Sequence, residues 1–151
     1  MYKKIFVTIS LIIIALFLIS STLEKESFNT KFVKSDYSSF DNFNITITSN
    51  EELNNFLDKY KEISTKFLEE IEIYNDKYFE TNNLVICYFI ETSSSITHEV
   101  SNIDFKKNIL NIEITQDSPD RITQDMIGWL LVVETSNDYD IEDVDLTFIR
   151  K

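Results

Sequence analysis

The hydrophobic pattern of this chain is dominated by two runs in which apolar residues do not alternate with polar ones. Leu84-Val85-Ile86-Cys87-Tyr88-Phe89-Ile90 is the stronger, bounded by Thr81-Asn82-Asn83 before and Glu91-Thr92-Ser93-Ser94-Ser95 after. Its length, its β-branched and aromatic content and its polar boundaries predict a strand. An unbroken run further predicts cover on both faces, so it reads as the central strand of a sheet. Met126–Thr135 reads as a second apolar strand. Elsewhere the pattern alternates. Asn44–Thr48 gives a short strand, Ile96–Phe105 and Ile109–Thr115 a hairpin about Lys106-Lys107-Asn108, and Val144, Leu146 and Phe148 a closing strand. The stretch from Gln116 to Asp125 holds the single proline, Pro119, and reads as a loop.

A helical period replaces the strand period between residues 50 and 61. Leu53, Phe56, Leu57 and Tyr60 fall on one face, with Ser49 and Glu52 spaced as a capping box. Glu51 and Glu52 in the first turn and Lys59 and Lys61 near the end complement the helix dipole. Ile63 to Phe79 reads as partly helical. Short connections between successive strands predict antiparallel pairing. The expected fold is therefore α+β: an N-terminal hydrophobic helix, then one or two helices packed on a mostly antiparallel sheet of about five strands.

The N-terminal helix is expected from Lys3 and Lys4 followed by Ile5 through Ile19 without a charge, then Ser20-Ser21-Thr22-Leu23. That is the layout of an export signal or a membrane anchor, and the two lysines would keep the start of the chain in the cytoplasm. Residues 1–23 are read as signal peptide or anchor, 24–43 as a spacer and 44–151 as a single domain. Retention places the domain on the outer side of the cell membrane, held through residues 5–23. The alternative is secretion after cleavage near Ser21 or Thr22. No cysteine follows the apolar core, which excludes a lipid-modified N-terminus.

Charge and composition narrow the function. The net charge of −12 argues against nucleic acid and against adsorption on anionic lipid. One glycine, Gly128, leaves no material for a phosphate-binding glycine loop. Few Gly, Ala and Arg against many Ile, Asn and Lys match AT-rich codons and a low-GC bacterial genome. Cys87, the single cysteine, lies in the most apolar run and reads as a buried hydrophobe. A Cys87–His98 dyad is formally possible but places the thiolate where it is disfavoured. No pair among the 26 acidic residues stands out for glycoside chemistry. One His and one Cys cannot build a zinc site. Asp138, Asp140 and Glu142 alternate as oxygen ligands do at the start of a calcium loop, without its glycine or its distal glutamate. A solvated acidic turn is the simpler reading, and no cofactor is expected.

The run Asn75-Asp76-Lys77-Tyr78-Phe79 into Leu84–Ile90, then Glu91-Thr92-Ser93-Ser94-Ser95-Ile96, a hairpin, a proline loop and Gly128-Trp129-Leu130-Leu131-Val132-Val133-Glu134 carries a resemblance. Over residues 45–149 the chain is similar to the C-terminal domain of the protease-complex B-subunit family, small exported domains of low-GC Gram-positive bacteria. That family carries Thr-Gly-Gly-Tyr where this chain has Thr92-Ser93-Ser94-Ser95. The resemblance implies a non-catalytic accessory domain at the cell surface and supplies no catalytic residues.

The expected function is a binding or accessory module rather than an enzyme, with a protein partner outside the cell. Ser93, Ser94, Ser95, His98 and Trp129 are the candidate binding residues. Trp129 stands beside the one strand glycine, where backbones approach closely. A cell-wall hydrolase or an inhibitor-type regulator of a protease is the competing class.

Overall fold

A computed structural model describes residues 28–35 and 41–151. The N-terminal hydrophobic segment lies outside the described residues. Among them, no helix is long and apolar enough to cross a membrane. The described chain runs β1 (Asn29–Lys34), β2 (Phe43–Ile47), α1 (Asn50–Lys59), α2 (Thr65–Ile71), α3 (Asp76–Phe79), β3 (Asn82–Glu91), β4 (Thr97–Lys106), β5 (Ile109–Asp117), β6 (Ile127–Ser136) and β7 (Asp143–Arg150). Helix α1 opens where the capping box predicts. The Ser49 side chain accepts from Glu52 N, and the Glu52 carboxylate accepts from Thr48 N at 2.7 Å.

The α+β expectation of one or two helices packed on one mostly antiparallel sheet of about five strands is overturned. The described residues are mostly β, 49% strand against 18% helix, and form two sheets and three short helices. One sheet has the order β1-β6-β3-β2 and is antiparallel throughout. The other has the order β4-β5-β7. Within it β4 and β5 are antiparallel while β7 runs parallel to β5, against the antiparallel closing strand expected. The reason is the route of the chain. It leaves β5, crosses to the first sheet as β6, and returns beside β5 in the same direction, so β6 serves as the crossover that a parallel pair requires.

The second sheet follows from the unbroken apolar runs. Residues of a strand alternate between its faces, so β3 and β6 each present two apolar faces. Leu84, Ile86, Tyr88, Leu130 and Val132 pack against Leu53, Phe56, Ile63, Phe67 and Ile71 from the helical segment. Val85, Cys87, Phe89, Trp129, Leu131 and Val133 pack against Leu110, Ile112, Ile114 and Val144 of the second sheet. Three short helices cover one face only. The hairpin β4–β5, apolar on one side, covers the other instead of extending the first sheet.

Two local features adjust this packing. Lys107 and Asn108 take positive φ of 53° and 63°, the left-handed pair of a tight hairpin turn. A bulge between Val100 and Asn102 shifts the register of β4, so His98 and Val100 face inward before it and Ile103 and Phe105 after it. The stretch read as a spacer also contributes: β1 lies inside residues 24–43 and pairs with β6.

Candidate functional site

The inward face of the second sheet is apolar until its last row. Gln116 continues the phase of Leu110, Ile112 and Ile114, and Arg150 continues that of Val144, Leu146 and Phe148. His98 pairs with Gln116, and Gln116 with Arg150, so the three form one polar row across β4, β5 and β7. The first sheet answers with Lys34, Trp129 and Phe89 side by side on β1, β6 and β3, and with Glu91 at the end of β3. One end of the sandwich thus gathers a histidine, a glutamate, a glutamine, an arginine, a lysine and the tryptophan.

The His98 imidazole has no exposed surface. It is enclosed by the rings of Trp129 at 4.8 Å, Phe89 at 5.1 Å and Phe32 at 5.7 Å between centroids. Its Nε2 stands 3.5 Å from Glu91 Oε1, and that same oxygen accepts a hydrogen bond from Gln116 Nε2. Gln116 Oε1 in turn lies 3.5 Å from Arg150 Nε. Lys34 Nζ sits 5.1 Å over the Trp129 ring and donates to Ser94 O at 2.9 Å. Both ring nitrogens of His98 and Trp129 Nε1 are buried without a hydrogen-bond partner among the described residues. Beside them a cleft of about 430 Å³ is lined by Asn42, Phe89, Ile90, Glu91, Gln116, Phe148 and Arg150.

Comparisons of the chain with protein families, with curated proteins and with solved structures return no match.

Burial holds the His98 imidazole below its ordinary value of 6.5, Glu91 opposes that shift and the charge of Lys34 adds to it. A base whose folded value is depressed stays neutral in the fold while the unfolded chain takes up a proton. The unfolded state then binds more protons, and stability falls with decreasing pH. Urea midpoints should therefore drop as the pH is lowered through about 6.5, and His98→Gln should reduce that dependence. A midpoint unchanged across this range would contradict a buried, neutral His98.

The other residues singled out by the sequence divide. His98 and Trp129 meet in this layer. The serine loop stands at the same end but satisfies itself. Ser93, Ser94 and Ser95 hydroxyls lie 2.8, 3.2 and 3.1 Å from Thr123 Oγ1, and Ser94 N donates to Asp125 Oδ1 at 3.1 Å. Hydrogen bonds from Ser94 and Thr123 hold the Asp125 carboxyl down to about 2. This web ties the 92–96 loop to the 118–126 loop and closes the end of the sandwich beside Lys34.

Asp138 and Asp140 share a shallow cleft at Tyr139, whereas Glu142 lines another and accepts from Asn108 at 3.1 Å. Among the described residues, no three His, Cys, Asp or Glu side chains are grouped as a metal site. Cys87 is fully buried, and burial pushes its thiol up to about 12, which removes it as a nucleophile. Nothing among the described residues or in the comparisons points to an enzyme.

The sequence reading does not include Glu91, Gln116 and Arg150 among the candidate binding residues. A signal for two of them was present: each is a polar residue at the apolar phase of an alternating strand, at the strand's last turn inward.

Proposed function

We propose that this chain is a non-catalytic binding or accessory module, held on the outer face of the membrane by residues 5–23, with a protein as its partner. The observation that carries the reading is the end of the sandwich, where a cleft lined by Glu91, Gln116 and Arg150 opens beside the buried His98–Glu91 pair. Burying a charged or polar layer costs about 1–3 kcal/mol for each group left unsatisfied, and Glu91, Gln116 and His98 offset that cost by pairing with one another. Binding sites of this kind combine an apolar wall with a few converging polar groups, here Phe89 and Phe148 with Glu91, Gln116 and Arg150. The accessory role is also what the resemblance of residues 45–149 implies. The Lys3-Lys4 start and the uncharged Ile5–Ile19 core support an exported, tethered chain.

Crosslinking on intact cells with the full chain tests this. The reading expects a protein partner captured outside the membrane. Capture of no partner, together with turnover of a wall polymer or peptide that His98→Ala abolishes, would replace it with the hydrolase reading.

A further inference from the structure

We propose that the cleft binds the free C-terminal carboxylate of a peptide chain, the carboxylate on Arg150 and an apolar last side chain against Phe148. The proposal rests on the binding-module reading and names the chemistry of its ligand.

Arg150 is one of two arginines in a chain with 26 acidic residues, yet it makes no ion pair among the described residues. Among the described residues its side chain makes one polar contact, from Nε to Gln116 Oε1. The remaining donors of the guanidinium form a fork that matches a carboxylate through two parallel hydrogen bonds. The support beneath it is buried: Gln116 is 5% exposed and Glu91 7%. Glu91 accepts from the Gln116 amide nitrogen, which turns the amide oxygen toward Arg150 and fixes the base of the fork. A single arginine above a buried carboxylate suits a monoanion and disfavours a phosphate dianion.

Phe148 supplies the apolar contact. It is 39% exposed, lines the cleft, and meets Phe89 edge-on at 5.0 Å. A space of about 430 Å³ holds one apolar side chain with its carboxylate and lies within the ordinary range of ligand pockets. The strand beside it favours a chain end over a free acid. β7 is an edge strand of its sheet; Asn44 covers its start by donating to Val144 O at 2.9 Å, and past that point an edge strand offers backbone groups to an added segment. Because β7 ends at Arg150, a segment added parallel to it brings its own C-terminus to the guanidinium. The net charge of −12 further favours basic residues upstream in the ligand.

Calorimetric titration of the full chain in lipid nanodiscs tests the proposal with N-acetylated Lys-Lys-Thr-Val-Phe as the free acid, the same peptide as its C-terminal amide, and hydrocinnamate. The free acid should bind about tenfold or more tighter than the amide. Arg150→Gln should erase that difference, Phe148→Ala should weaken both peptides, and Lys66→Gln, on the helical side, should change nothing. An unchanged melting temperature for Arg150→Gln keeps a folding defect out of the comparison. Equal binding of acid and amide, a preference that survives Arg150→Gln, or hydrocinnamate binding as tightly as the peptide would overturn the proposal. Failure of the peptide to bind would overturn it too, while a partner crosslinked on cells would leave the binding-module reading standing.

Discussion

Leu131→Asp is expected to unfold the domain. Leu131 is fully buried on β6, between Phe32 on β1 and Cys87 on β3, and faces the second sheet. Removing a buried leucine side chain costs about 2–5 kcal/mol. A carboxylate left there without a partner adds several more, unless it takes up a proton. Domains of this size are stable by about 5–15 kcal/mol, so the sum consumes most or all of the margin. Circular dichroism of the variant should show loss of the cooperative thermal transition. A melt matching the unsubstituted chain would mean that this face of β6 is open to water and that no second sheet covers it.

Phe67→Ala tests the opposite face. Phe67 on α2 is fully buried and packs with Phe56 at 6.2 Å between ring centroids, over the side of the first sheet that carries Ile86 and Tyr88. Truncating a buried phenylalanine costs about 3–5 kcal/mol. The hydrophobic layer it belongs to is separated from the inter-sheet layer by the first sheet. Its effect should therefore add to that of Ile112→Val, which touches only the other layer. Denaturant midpoints of the single and double variants measure this, and a cost below about 1 kcal/mol for Phe67→Ala would show that the helices do not seal that face.

The elements were more legible in the sequence than their arrangement. Leu84–Ile90 announced a strand covered on both faces, and it is one. The 3.6-residue spacing of Leu53, Phe56, Leu57 and Tyr60, with Ser49 as its cap, located α1. The number of sheets was not legible, because alternation in Ile109–Thr115 says that one face is apolar and not which surface it meets. Placing the hairpin beside the central strand gave one sheet; packing it against the strand's second apolar face gives two. The parallel entry of β7 was hidden for a related reason, since nothing in Val144–Phe148 reports that the preceding strand lies in a different sheet. β1 is not legible in the sequence, because a short edge strand with polar neighbours carries little period of its own.

The site was half legible. His98 stands out as the single histidine and Trp129 for its place beside Gly128, and the fold brings the two rings together. Gln116 reads in the sequence as the start of the proline loop, and nothing in the pattern singles out Arg150. Only the register across β4, β5 and β7 turns them with His98 into one row, and only the stacking of the sheets sets Glu91 against that row.

The presence of one histidine and one tryptophan in the chain makes the central claim directly measurable by proton NMR without ambiguity of assignment. The stacked sheets place the Trp129 indole against the His98 ring, inside the layer that ends the sandwich. Nuclear Overhauser cross-peaks are therefore expected between the indole and imidazole protons, with the imidazole resonances titrating below 6.5. An imidazole that shows no cross-peak to the indole and titrates at its ordinary value would contradict the two-sheet stack and the site built on it.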